Sequence, residues 1–303
     1  MKRKKIIIGT RGSKLAQIYA YRTKTLLEKF YKDKIQINTV VTEGDLNQDK
    51  RLSEIGGKGL FTKKIENELL TKNIDVAVHA LKDMTTMNVK GLVVKGFLKR
   101  QEANEVLISR DKIKFNELKP DSLIGTSSLR REFQIKSKRK DLKFKIIRGN
   151  IETRIQKMTQ GDYDAIILAK AGITSLNLDN LISETFDIDQ VLPSAGQGVT
   201  VAQCRDDDEE IIKLLEQINH EETEICARSE KEVLNIIEGD CNTAIGVSSF
   251  LKKNKIKLKT ELFSLDGKKR FFLEGEDNID KGVELGNKIG TQLKYNSKGV
   301  YKK

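Results

Sequence analysis

The sequence predicts an α/β fold: two similar βαβαβ-type lobes around a shared cleft, then a smaller α+β C-terminal module. Three observations carry this. At 303 residues the chain is too long for one ordinary core, so two or three domains are expected. Strand-like and helix-like patterns alternate along two successive stretches. Matching strings mark both stretches in the same order: "IIIGTRGSKLAQI" (6–18) answers "SLIGTSSLRREFQI" (122–135), and "NIDVAVHALKD" (73–83) answers "GDYDAIILAKAG" (161–172).

Each element has its own reason. Ile6-Ile7-Ile8 is a β-branched run that Gly9-Thr10 ends, and a basic segment with helical spacing follows. "IQINTVV" (35–41) is a second strand, "LFTKKIENELL" (60–70) a helix, and the apolar run before Asp83 a third strand. The second lobe repeats the order, with strand "FKIIRGN" (144–150) and helix "IETRIQKM" (151–158). Strands separated by helices predict a mostly parallel sheet in each lobe. "VLPSAGQGVTVAQC" (191–204) joins the lobes to a third region. There 219–237 reads as helix, 244–251, 255–263 and 269–275 as strands, and a last helix lies near 279–294. The expected division is 1–98 plus about 197–217 for the first lobe, 99–196 for the second, and 218–303 for the α+β module.

Composition narrows the function classes. Hydrophobic residues at 38% and charged residues at 33% describe a soluble globular protein. No apolar run approaches the roughly 18–20 residues that span a bilayer. The N-terminus is basic, but Ile6–Ile8 falls far short of a signal-peptide core, so the expected location is cytoplasmic with no membrane partner. Three cysteines without a CxxC pair, and two histidines, predict neither a disulfide framework nor a metal site. The net charge of +12 calls for an anionic partner. Nucleic acid is disfavoured: there is no Trp, and the basic clusters 136–143 and 251–260 carry no aromatic for base stacking.

Anion-binding residues gather where strands give way to helices, because unpaired backbone N–H groups and the positive helix end meet there. Arg11 and Ser13 hold that place in the first lobe; Thr126, Ser127, Ser128, Arg130 and Arg131 hold it in the second. "RGNIETR" adds Arg148 and Arg154, and "GGKGLF" sets Lys58 among glycines that let backbone approach a ligand. Arginine forks suit carboxylates and phosphates, and neither phosphate-loop glycine pattern is present. A polycarboxylate is the expected ligand. Asp83, just past a strand and beside Lys82, is either a turn former or a carboxylate that moves protons and steadies a developing cation. His79 reads as a core histidine, and Cys204 and Cys226 as packed thiols. Cys241 differs: "EGDCNTAIG" (238–246) places it in a polar loop after a helix stop, as a nucleophile, a regulatory thiol or a covalent anchor.

The motifs resemble the porphobilinogen deaminase (hydroxymethylbilane synthase) family from about residue 5 to beyond 250. "GTRGSKLA", "GGKGLFTKKIE", "VAVHALKD", "GTSSLRRE", "IRGNIETR", "DYDAIILAKAG", "LPSAGQG" and "EGDCNTAIG" fall in the family's order and spacing. The resemblance implies periplasmic-binding-protein-like lobes in a monomeric transferase of haem (tetrapyrrole) biosynthesis. Its substrate is porphobilinogen, four of which are joined head to tail into hydroxymethylbilane with loss of ammonia. It also implies a dipyrromethane cofactor, thioether-bound to Cys241, and Asp83 as the catalytic aspartate. Arg11, Ser13, Lys58, Lys82, Thr126, Ser127, Ser128, Arg130, Arg131, Arg148, Arg154 and Gln197 are implied as the groups that bind substrate and cofactor. The chain departs from the family pattern at Glu54, Thr85, Ser175 and Ala244, and "EANEV" (102–106) replaces the frequent "DPRDA". The runner-up is a non-enzymatic two-lobed protein that binds an anion. Such a protein has no use for Cys241 in a third module.

Overall fold

The computed structural model describes residues 3–42, 59, 62–86, 89–240 and 242–302. The chain begins β1 (Lys5–Arg11), α1 (Lys14–Leu27), β2 (Lys34–Val40), α2 (Lys63–Leu70), β3 (Val76–Ala80) and β4 (Leu92–Phe97). It continues through β5 (Glu105–Ser109), β6 (Leu123–Gly125), α3 (Leu129–Lys138), β7 (Lys143–Lys145), α4 (Ile151–Thr159), β8 (Ala165–Ala169), α5 (Lys170–Ser175) and β9 (Glu184–Thr185). Last come β10 (Thr200–Arg205), α6 (Glu209–Glu216), α7 (Glu221–Ile237), β11 (Ile245–Lys252), β12 (Lys255–Phe263), β13 (Arg270–Asn278) and α8 (Gly282–Ser297). These elements form two compact units, Met1–Gln101 with Val199–Ala227, and Glu102–Gly198 with Arg228–Lys303.

Among the described residues, each unit holds one five-stranded sheet of the same plan, β2-β1-β3-β10-β4 in the first and β7-β6-β8-β5-β9 in the second. The sheets are mixed, not mostly parallel. Three strands run parallel, and then β10 or β5 enters reversed and pairs antiparallel on both sides. In each sheet the reversed strand is the first one made after the chain leaves the other unit. The segment 191–204, read from sequence as a connector, therefore also supplies the start of a sheet strand.

The repeated "IGT" has a packing cause. A Cβ on Gly9 would lie 2.3 Å from Ile74 Cδ1, and one on Gly125 would lie 2.9 Å from Ile166 Cγ2, so each strand end needs a residue without a side chain. A serine then caps the next helix. Ser13 Oγ accepts from Ala16 N at 3.3 Å, and Ser128 Oγ accepts from Arg131 N at 3.4 Å.

In the first unit Ile6, Ile8, Val76 and Val78 bury one face of the sheet against α1 and α6. Ala77, with Ile65 and Leu69 of α2, buries the other. The second sheet packs Leu107, Ile124 and Ile167 beside Ile135 of α3, and Ile108, Ile166 and Leu168 beside Met158 of α4. The predicted strand 144–150 is shorter than expected: it ends at Lys145, and beyond it side chains engage the carbonyls, Tyr163 Oη donating to Ile146 O at 2.7 Å and Ser127 Oγ to Ile147 O. The antiparallel module β11-β12-β13 lies in the second unit, with α8 packed against β13. No helix among the described residues is long and apolar enough to cross a membrane.

Candidate functional site

β1 and β3 are parallel neighbours, so their carboxyl ends leave the sheet along one edge. Arg11 closes β1. After β3 the backbone takes one 3-10 turn, Leu81–Asp83, in which Leu81 is buried and its N–H donates to Val199 O at 2.9 Å. The buried Leu81 directs Lys82 and Asp83 outward, and both are exposed. Arg11 Nη1 stands 4.0 Å from Asp83 Oδ2. A partly exposed ion pair at that distance is worth little. Crevices at the carboxyl ends of parallel strands are where open α/β sheets bind ligands.

The second unit builds the matching edge. Thr126 Oγ1 accepts from Ser128 N at 3.2 Å, and Ser127 is tied to Ile147 O. Farther along, Arg148 and Arg154 flank a turn at Gly149, whose φ is +110°. Arg154 Nε donates to Gly149 O at 2.8 Å, Lys157 Nζ donates to Arg148 O at 3.3 Å, and Asn150 caps α4 by accepting from Thr153 N at 2.9 Å. Both arginines are half-buried. Gln197 is fully buried and donates from Nε2 to Ala103 O at 2.7 Å.

Arg130 and Arg131 differ from the other candidate clamps in being tied into the interior of the second unit. Both are buried, and both face Glu105, which is itself fully buried. Arg130 Nη2 donates to Glu105 Oε1 at 2.6 Å and Nη1 to Leu192 O at 2.7 Å. Arg131 Nη2 lies 2.8 Å from Glu105 Oε2, and Nη1 donates to Ile167 O at 2.9 Å. Burial draws the Arg130 pKa down, Glu105 draws it back up, and the neighbouring Arg131 adds to the fall. Arg131 Nε is buried with no hydrogen-bond partner.

Sequence reasoning missed Glu105. The available signal was a carboxylate at the head of the apolar run "VLIS" (106–109), which is fully buried in β5 and so demands a cationic partner. It also missed Glu230 on α7, a buried carboxylate that accepts from Gly196 N at 2.8 Å, Ser249 N at 2.8 Å and Ser249 Oγ at 2.9 Å.

Lys58 and Cys241 lie outside the described residues. On either side of position 241, Asp240 Oδ1 accepts from Asn242 N at 2.8 Å and Asp240 N donates to Thr243 Oγ1 at 3.1 Å, so these neighbours are polar and hydrogen-bonded to one another. Cys204 and Cys226 are buried, and burial pushes the Cys204 thiol up to about 12, which removes it as a nucleophile. His79 is buried and its pKa is lowered to about 4, chiefly by burial and further by Arg11, against a hydrogen bond with Gln203 that raises it.

Two family models match the chain. "Porphobilinogen deaminase, dipyromethane cofactor binding domain" covers residues 6–213, and "Porphobilinogen deaminase, C-terminal domain" covers 224–295. A porphobilinogen deaminase of Desulforamulus reducens is 40% identical over 293 residues, 95% of this chain and 94% of that protein. That of Chlorobium chlorochromatii is 42% identical over 267 residues, 88% of this chain and 85% of that protein. A Staphylococcus aureus relative of the same name is 38% identical over 297 residues, 96% of each chain. With the motifs in order and both models matched, the chain belongs to the porphobilinogen deaminase family.

Proposed function

We propose that the chain is a transferase that condenses four porphobilinogens head to tail and, with one water supplying the terminal hydroxyl, yields hydroxymethylbilane, releasing one ammonia for each, in tetrapyrrole biosynthesis. The observation that carries this reading is Asp83 held outward at the end of β3, 4.0 Å from Arg11. Porphobilinogen loses its amine as ammonia and becomes a cation, and an ionised Asp83 near the pyrrole N–H stabilises that charge. The new carbon–carbon bond forms when the next pyrrole carbon attacks. The proton on the attacked carbon must then leave, and the reading assigns its removal to Asp83.

Every pyrrole unit bears an acetate and a propionate, so the ligand is a polyanion. Its carboxylates need cations and hydroxyls at strand ends. Arg11, Ser13 and Lys82 supply these in the first unit; Thr126, Ser127, Ser128, Arg148 and Arg154 supply them in the second, and Gln197 is assigned to the same set. The donor set fits a dipyrromethane, and the buried, unpartnered Nε of Arg131 fits an anion nearby. Bound through the Cys241 thiol, that group would supply the first pyrrole carbon for elongation. Lys58 and the Arg130–Arg131 pair complete the set of cations assigned to it.

Intact mass tests the anchor. Wild-type protein is expected to exceed its sequence mass by two linked pyrrole units, and Cys241→Ser to show no excess. A wild-type mass without the excess, unchanged after incubation with porphobilinogen, would refute the reading.

A further inference from the structure

Two guanidiniums and one carboxylate share a buried site at the first turn of α3. Glu105 sits on β5, opposite Ala169 of β8, and its two oxygens are divided between the two arginines. The remaining donors engaged are fixed to backbone: Arg130 to Leu192 O and Arg131 to Ile167 O. Each fork is thus anchored at one nitrogen by the main chain and at another by Glu105. Glu261, a further anion that acts on Arg130, is itself held by Arg270. Two cations against one anion leave a surplus positive charge on the pair, and a buried surplus charge is stable only when something anionic faces it.

We propose that Glu105 is a positioning residue: it sets the angle and spacing of the Arg130 and Arg131 forks, and thereby how tightly the enzyme holds its polycarboxylate substrate chain. The inference rests on the deaminase reading, in which this pair receives substrate carboxylates. A carboxylate is required because it sets a charged oxygen against each fork: Oε1 accepts from Arg130, and Oε2 forms an ion pair with Arg131 at 2.8 Å without a hydrogen bond. A glutamine would offer one oxygen and turn an N–H2 group toward the other guanidinium, donor against donor. One fork would then swing away, and misplacing a binding group by about 1 Å can cost about a hundredfold.

The test compares Glu105→Gln and Glu105→Asp with wild type, reading KM and kcat for porphobilinogen, melting temperature and intact mass. Positioning predicts at least about a tenfold rise in KM for Glu105→Gln, with a smaller change in kcat per folded molecule. Glu105→Asp keeps the charge and both oxygens but draws them back by one methylene, so its KM is expected to rise only about threefold. A folded Glu105→Gln with the wild-type KM overturns the proposal, and so does a lower melting temperature and active fraction with KM unchanged, since those mark a purely structural role. If Glu105→Gln is insoluble, Glu105→Asp decides: a raised KM supports the proposal and a wild-type KM overturns it. Failure of the deaminase reading is separate, because wild-type protein would then carry no pyrrole and consume no porphobilinogen.

Discussion

Burial lowers the His79 pKa from 6.5 to about 4, so between those values the unfolded chain carries a proton that the folded chain refuses. In the folded chain the hydrogen bond with Gln203 offsets only part of the cost of charging the buried ring. The stability tied to a neutral His79 is complete above pH 6.5. It drains away as pH falls toward 4, to a total of about 3 kcal/mol. Denaturant melts at pH 7 and pH 5 are expected to show wild type losing about 2 kcal/mol through this group, and His79→Gln losing correspondingly less. Asp83 behaves in the opposite way. It is exposed and its ion pair with Arg11 is long, so Asp83→Asn should leave the melting temperature nearly unchanged. The same change should lower kcat by about a hundredfold to a thousandfold, because it removes the charge that steadies the cation. A folded Asp83→Asn with wild-type turnover would dismiss the role. That Arg11 and Asp83 stand at strand ends was legible from sequence because the apolar runs before them are clear strands. Glu105 was not, since nothing local says that two arginines 25 residues later will fold against it.

Helix α8 lies against α7, the helix that leads into the loop of Cys241, and a glycine marks the contact. A Cβ on Gly286 would meet Ser229 O at 2.4 Å and Glu232 Cβ at 3.1 Å. By intrinsic propensity Gly→Ala in a helix gains about 1 kcal/mol. Overpacking against a main-chain carbonyl, which cannot rotate aside, costs about 1–3 kcal/mol, so the clash wins. Gly286→Ala is therefore expected to lower the melting temperature, and a rise would contradict the tight crossing. The α+β module as a whole was readable because its strands alternate and its turns are marked. The sheets of the two α/β units were readable only as far as β1–β3 and β6–β8, where local strand–helix–strand order dictates parallel pairing. The reversed fourth strand is set by a segment from elsewhere in the chain, which no local period announces.

At the scale of the molecule, a net charge of +12 and cations at strand ends in both units agree with a ligand that gains two carboxylates with every unit added. Neither unit is continuous in sequence, and that has a consequence during synthesis. β4 joins its sheet through β10, yet about 100 residues separate Phe97 from Thr200. At about 5–20 residues per second a ribosome needs about 5–20 s to bridge that gap. Throughout it β3 presents a bare strand edge and β4 has no ladder, the condition in which nascent chains pair wrongly with one another. The second sheet has no such wait, because β5 through β9 emerge in one run. Of the two five-stranded sheets, the one whose first strands leave the ribosome first is the one completed last.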